Sequence, residues 1–206
     1  MTNALSNVKL FGYRVLIEPV EGKTGTIVMP QSAQTMHRIG RVVCVGDGRQ
    51  PDGTVKKSLV SVGDIVYFQT NAMTAASNGY VVGNMAYLNL HQGDLIGRLD
   101  STVVCATNFT PLGRWVMVKP FVRSEGSLIV LPASAERDPN FVYFKVAKLG
   151  DQVDLPVTVG QEVLLTVHRT NAMQISKDSL NLGELEEYGY IDRDFVLGAV
   201  DESPVA

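Results

Sequence analysis

The sequence predicts an all-β protein built from two related units in tandem. Three observations carry this. The chain repeats itself at a period near one hundred residues. Its apolar residues fall in short alternating segments rich in Val, Ile, Tyr and Phe, the residues that suit a pleated, half-buried surface. Gly and Pro punctuate the chain every eight to twelve residues, and no segment sustains a helical apolar stripe. Small barrels or sandwiches satisfy all three.

The repeat is legible segment by segment. Gly12 to Pro30, "GYRVLIEPVEGKTGTIVMP", aligns with Leu112 to Pro132, "LGRWVMVKPFVRSEGSLIVLP", with Arg14 set against Arg114 and Pro19 against Pro120. Val60 to Met73 aligns with Val157 to Met173, and Gln92 to Leu99 with Asp192 to Val200. The order is the same in both halves. The seam falls near Asp100–Asn108, "DSTVVCATN", where polar residues interrupt. Phe109 and Trp115 lie beside it and read as packing residues between the two units.

In chain order, "RVLIEP" from Arg14 predicts a first strand. The polar stretch after it, "VEGKTGT", leads into Ile27-Val28-Met29, and a proline follows. "GRVVCVG" predicts the next strand, with Cys44 at an apolar position. Pro51-Asp52-Gly53 signals a tight hairpin, because glycine accepts the positive φ of the turn. Val62-Gly63-Asp64 opens the strand "DIVYF", and Asp64 and Asp94 read as turn-capping carboxylates. The second half repeats the scheme with Ile129-Val130-Leu131 in the corresponding loop. It runs from "KLGDQVDLPVTVG" almost directly into its second Val-Gly turn, without room for the hairpin. "TNAM" occurs at Thr70–Met73 and Thr170–Met173, a shared segment to which no role is assigned.

Composition excludes several function classes. Net charge is −3, and no Lys/Arg stripe marks a nucleic-acid partner. No apolar run approaches a membrane span, and the N-terminus lacks the features of a signal peptide, which predicts a cytoplasmic protein. Cys44 and Cys105 are expected to be reduced and at least half-buried. His37, His91 and His168 are scattered, without metal-ligand spacing. "GDGR" at Gly46 to Arg49 lacks the Gly-Lys-Ser/Thr of a phosphate cradle. No nucleophile stands beside a base in sequence, so no enzyme, metal or cofactor is expected.

Taken together, "YRVLIEP", "GTIVMP", "GRVVCVGDGR", "QPDGTVKKSLV", "VGDIVYF" and "AYLNLHQGDLIGRL" resemble a GroES-type co-chaperonin subunit over nearly the whole first repeat. The second repeat is similar but divergent, so the chain resembles the tandem, double-domain form of that family. The resemblance implies two GroES-like irregular β-barrels, residues 8–100 and 108–200, the second without its roof hairpin. It implies a mobile loop in each barrel whose triplet, Ile27-Val28-Met29 or Ile129-Val130-Leu131, docks on a chaperonin ring. It also implies a homo-oligomer closed by strands around Arg14–Ile17, Leu95–Leu99, Trp115–Val118 and Phe195–Val200. The approach to the first triplet is shorter than is usual for that loop. The alternative reading is a structural bacteriophage protein, a capsid decoration or cement located in the virion, with the same barrel and ordered triplets. A distantly similar fold occurs in zinc-dependent alcohol dehydrogenases, but this chain has neither their zinc ligands nor a dinucleotide-binding half.

Overall fold

The structure is a computed structural model that describes residues 8–20, 39–69, 79–82, 85–102, 104–120, 141–166 and 188–200. The chain divides into two compact units, Met1–Gly113 and Arg114–Ala206. Regular structure among the described residues is strand plus two single turns of 3-10 helix, so the all-β expectation holds.

The first unit contains β1 (Arg14–Pro19), β2 (Ile39–Val45), β3 (Ile65–Phe68), β4 (Gly79–Val82), β5 (Met85–His91), β6 (Leu95–Leu99) and β7 (Phe109–Pro111). They form one antiparallel sheet in the order β4-β5-β1-β2-β3-β6-β7. Alternation sets its faces: Val15 and Ile17 of β1, Val66 and Phe68 of β3 and Leu90 of β5 are fully buried in one core cluster. Burying each such side chain contributes about 1.5–3 kcal/mol relative to leaving it in water.

The second unit contains β8 (Trp115–Pro120), β9 (Phe141–Leu149), β10 (Glu162–Thr166), β11 (Gly189–Asp192) and β12 (Val196–Val200). Their order is β11-β8-β9-β10-β12. This is the order of the central five strands of the first sheet, β5-β1-β2-β3-β6. Its core sits at matching positions: Val116 and Val118 of β8 and Val163 and Leu165 of β10 are buried completely.

The two sheets share their irregularities. Register slips between Leu16 and Ile17 where β1 meets β2, and between Met117 and Val118 where β8 meets β9. It slips again between Tyr67 and Phe68 against β6, and between Leu164 and Leu165 against β12. Such slips bend a strand and tighten its twist, which curls a sheet toward closure. Their coincidence in two stretches of different sequence makes the repeat a repeat of backbone geometry.

The ladders also refine the alignment. A constant offset of 101 positions links β1 to β8, β5 to β11 and β6 to β12. Arg14 corresponds to Trp115, because they pair with His91 and Asp192 respectively. Arg114 therefore corresponds to Tyr13, and the sequence match of Arg14 with Arg114 is one residue out of register. Phe109 and Trp115 each pack within a unit: Phe109 lies edge-to-face on Tyr67 at 6.1 Å, and Trp115 on Tyr190 at 5.8 Å.

Candidate partner-binding site

The triplets Ile27-Val28-Met29 and Ile129-Val130-Leu131 lie outside the described residues, as do both TNAM segments, His37 and His168. What the structure places is the base of each loop. Residues 21–38 connect β1 to β2, and residues 121–140 connect β8 to β9. These are the same connection in two sheets of the same order. The first base is closed by the ladder as far as Pro19↔Gly40, and beyond it by the Val20 N–H, which donates to the Ile39 carbonyl at 3.1 Å. At the second base Pro120 stands opposite Phe144.

On the opposite side of β2, residues 47–60 form the hairpin that the sequence predicts. Arg49 and Val55 bridge, and Gln50 N–H donates to the Thr54 carbonyl at 2.8 Å. Gly53 takes φ +85°, which favours glycine, and Gly53 N–H donates back to the Gln50 carbonyl at 3.0 Å. The Asp47 carboxylate fastens the hairpin to the start of β1, accepting from the Gly12 N–H at 2.8 Å and the Arg49 N–H at 3.1 Å. Those two backbone donors, the Gly12 N–H foremost, hold Asp47 below the usual carboxylate range. Asp52 at the tip is lowered in the same way, chiefly by the Thr54 hydroxyl and also by the Thr54 N–H. In the second unit residues 151–157 span the corresponding interval as a short turn, with Val153 N–H donating to the Gly150 carbonyl. The hairpin is absent there.

The Val-Gly turns are kept in both units, with different side chains doing the same work. Gly63 and Gly160 sit at φ +98° and +90°. Asp64 accepts from the Ser61 N–H at 2.9 Å, as expected of a turn carboxylate; Gln161 accepts from the Thr158 N–H at 3.0 Å. For Asp94, the backbone carbonyl accepts from the Gln69 N–H at 3.1 Å.

A second shared device joins β5 to β6 and β11 to β12. Gln92–Asp94 and Arg193–Phe195 each form one 3-10 turn. His91 Nδ1 caps the first by accepting from the Gly93 N–H at 3.0 Å, and Asp192 caps the second by accepting from the Asp194 N–H at 3.0 Å. Gln92 N–H and Arg193 N–H donate to the carbonyls of Tyr13 and Arg114, both at 3.0 Å. Around this shared frame the partners differ. Tyr13 stacks edge-to-face on His91 at 5.4 Å, whereas Arg114 pairs with Asp192 at 2.7 Å and with Asp194. Partial desolvation opposes the Arg114 charge, but the two aspartates outweigh it and raise its pKa.

Sequence reasoning missed what comes next in each turn. Gln92 is fully buried, and its Oε1 accepts from Leu59 N–H at 2.8 Å and Ser58 Oγ at 3.0 Å, tying the turn to the exit of the hairpin. Its counterpart Arg193 donates to the Gln152 carbonyl at 2.9 Å and pairs with Asp154, tying the turn to the short connection that replaces the hairpin. A polar residue in a Gln-Gly-Asp turn gives no signal of burial in sequence.

The structure corrects the strands expected to close an oligomer. β1 is bonded on both sides, to β5 and β2, and β8 to β11 and β9. Arg14–Ile17 and Trp115–Val118 therefore have no ladder groups left for a neighbour. Among the described residues no three His, Cys, Asp or Glu side chains converge as a metal site, and no helix is long and apolar enough to cross a membrane. Cys44 and Cys105 are each partly buried.

Comparison with known proteins finds relatives by sequence. The profile of the chaperonin 10 kDa subunit family (Cpn10) matches residues 7–99. The chain is 36% identical to the co-chaperonin GroES of Coprothermobacter proteolyticus over 93 residues, covering 43% of this chain and 91% of that protein. It is 40% identical to the co-chaperonin GroES of Exiguobacterium sibiricum over 93 residues, 43% of this chain and 95% of that one. Similarity to the chloroplastic 20 kDa chaperonin of Arabidopsis thaliana extends over 187 residues at 27% identity, 85% of this chain and 71% of that one. With one matching profile, two sheets of one strand order and a relative aligned across both, the chain belongs to the GroES-type co-chaperonin family, in its tandem form.

Proposed function

We propose that this protein is a co-chaperonin that caps an ATP-driven chaperonin ring and so assists protein folding. It docks through Ile27-Val28-Met29 and Ile129-Val130-Leu131, one triplet for each of the repeats 8–100 and 108–200. The observation that supports this is topological: both triplets fall in the connection that leads into the central strand of its sheet, from β1 to β2 and from β8 to β9, at the same place in the five-strand order that the two sheets share. Three aliphatic side chains entering an apolar groove contribute roughly 5–9 kcal/mol, at about 1.5–3 each. Ordering a loop costs about 1–2 kcal/mol for each residue fixed. A single anchor therefore binds weakly, and a homo-oligomer carrying many binds tightly while still releasing when the ring changes state. The lid itself makes and breaks no bonds; the chaperonin hydrolyses the nucleotide.

The test is capture on an immobilised chaperonin ring with ATP. The parent chain is retained, Ile27→Ser or Ile129→Ser weakens retention, and the double substitution abolishes it. Full retention of the double variant would overturn the assignment of the triplets.

A further inference from the structure

Charge is spread unevenly along this chain. Lys and Arg number 18 and Asp and Glu 21, yet none falls between Asp64 and Asp94. That stretch carries β3, β4 and β5. β3 and β5 are interior strands of the first sheet, where burial disfavours charge. β4 is not interior. Among the described residues it ends the sheet, paired with β5 alone in the register Gly79↔Leu88, Tyr80↔Tyr87, Val81↔Ala86 and Val82↔Met85. Tyr80 is 51% exposed, Val81 69% and Met85 47%. A carbon added at Gly79 would meet nothing within 4 Å. Burial within the unit therefore does not account for an uncharged β4.

An open strand edge is a template for pairing, and proteins blunt it with charge, proline or brevity. The other edge strands carry such guards. β7 has three residues and ends in Pro111. β11 ends in Asp192, which pairs with Arg114. β12 lies between Asp194 and Asp201. β4 has none of these. The missing charge also indicates what lies against it. An antiparallel strand on a two-fold axis meets its own residues, so a charged strand would set like charges opposite one another, at a cost in stability. β4 meets only Gly, Tyr and Val. A foreign strand would find no charge there to select it, whereas a second β4 matches in polarity and in length.

We propose that β4 pairs antiparallel with β4 of a second copy across a two-fold axis at Tyr80, in the register Gly79↔Val81, Tyr80↔Tyr80 and Val81↔Gly79. Opposed residues share a face of the sheet, so the axis must pass through a residue and not between two. At Tyr80 it sets two aromatic rings beside each other, as cross-strand pairs favour, and turns each Val81 toward the open space at a Gly79. Met85 shares the Tyr80 face, because it opposes Val82, and widens the apolar strip. The contact is isologous, so it closes after two copies and doubles whatever assembly the barrels otherwise form. Three residue pairs make a small contact, weak between single chains and strengthened where several are held together. The proposal stands apart from the lid reading, which needs only the triplets.

The experiment is sedimentation equilibrium of the full chain over a range of concentrations. At high concentration the parent is expected at twice the mass of Tyr80→Glu or Tyr80→Lys, each of which sets like charges across the axis and weakens the doubling at least tenfold. An equimolar mixture of the two variants regains the mass of the parent, because opposite charges then face each other in the mixed pair. Tyr80→Phe keeps the ring and behaves as the parent. Val81→Lys, which opposes Gly79 of the second copy, weakens the doubling too and keeps the test valid if a charge at Tyr80 disturbs the fold. A mass unchanged by either charge, or a mixture that stays at the smaller mass, overturns the proposal. Parent chains that do not double, whether β4 is bare or holds another polypeptide, overturn it as well. Chaperonin capture reads the triplets separately: Tyr80→Glu is captured as the parent is, and loss of the doubling leaves the lid reading standing.

Discussion

Replacing Gly97 with alanine is expected to damage the first unit, while the same change at Gly198 leaves the second untouched. A Cβ built at Gly97 falls 2.3 Å from Phe109 Cζ and 2.4 Å from Cε2. Contacts that short are not tolerated, so the ring must leave its place. Phe109 is fully buried and stacks on Tyr67, so moving it loses packing as well as relieving overlap. Overpacking of this kind costs about 1–3 kcal/mol, and a lost aromatic pair adds about 0.5–1.5 kcal/mol. Gly97→Ala should therefore destabilise the first unit by roughly 2–4 kcal/mol. At Gly198 no atom lies within 4 Å of the added carbon. Urea unfolding, followed by the near-ultraviolet signal and fitted as two units, measures both. Coupling supplies the sharper check. Phe109→Leu removes Cζ and Cε, the atoms that collide, so Gly97→Ala should cost under about 1 kcal/mol in that background, a coupling of at least about 1 kcal/mol. If Gly97→Ala costs the same with and without the ring, steric exclusion by Phe109 is not why glycine stands there.

Two further outcomes follow from the same geometry. Asp47 and Asp52 have lowered carboxyl pKa values in the folded chain, so their contribution is complete above the unfolded aspartate value of about 3.9 and is lost as pH falls through the lower folded values; amide exchange at Gly12 and Arg49 should accelerate there, and Asp47→Asn should remove most of that pH dependence. Asp192→Ala removes both the cap and the Arg114 partner and should cost about 1 kcal/mol, against a few tenths for Arg114→Met, whose ion pair is largely water-exposed; thermal unfolding of the second unit compares them.

The parts of this fold that were legible in sequence are those encoded by local chemistry. Alternation in "RVLIEP" and "DIVYF" marks β1 and β3, and Pro51-Asp52-Gly53 marks the hairpin, because strand period and turn conformation depend on near neighbours. The shortening after Gly150 was equally plain, since length is read directly. The Arg14–Arg114 mismatch arose because a side-chain identity weighed more in the alignment than ladder register, which depends on His91 and Asp192 far along the chain. The same distance hid β7: "FTP" is too short for a periodic signal, and its place is set by Gly97 and Tyr67, not by its own sequence. The strands on either side of the first triplet, β1 and β2, were marked by their own apolar segments, whereas both triplets lie outside the described residues.

The pattern of divergence between the two units indicates what the barrel requires. The slips at Leu16/Ile17 and Tyr67/Phe68 recur at Met117/Val118 and Leu164/Leu165, although the residues around them have changed. The ties between the 3-10 turn and its surroundings also recur, but by different chemistry. An aromatic edge contact of Tyr13 on His91 stands where the second unit has Arg114 on Asp192, and the buried amide of Gln92 stands where it has the half-exposed guanidinium of Arg193. Each substitution is matched by its partner, as a tie needed at that point demands: Arg114 against a histidine, or Tyr13 against an aspartate, would leave a charge unpaired at the turn that aims β6 or β12. That turn sets where β6 or β12 runs. β6 is covered by β7; among the described residues no strand pairs with the other side of β12, and its Leu197 is exposed. Two chemically different ties thus hold one backbone arrangement, which is why the turn is kept in both units while its side chains are not.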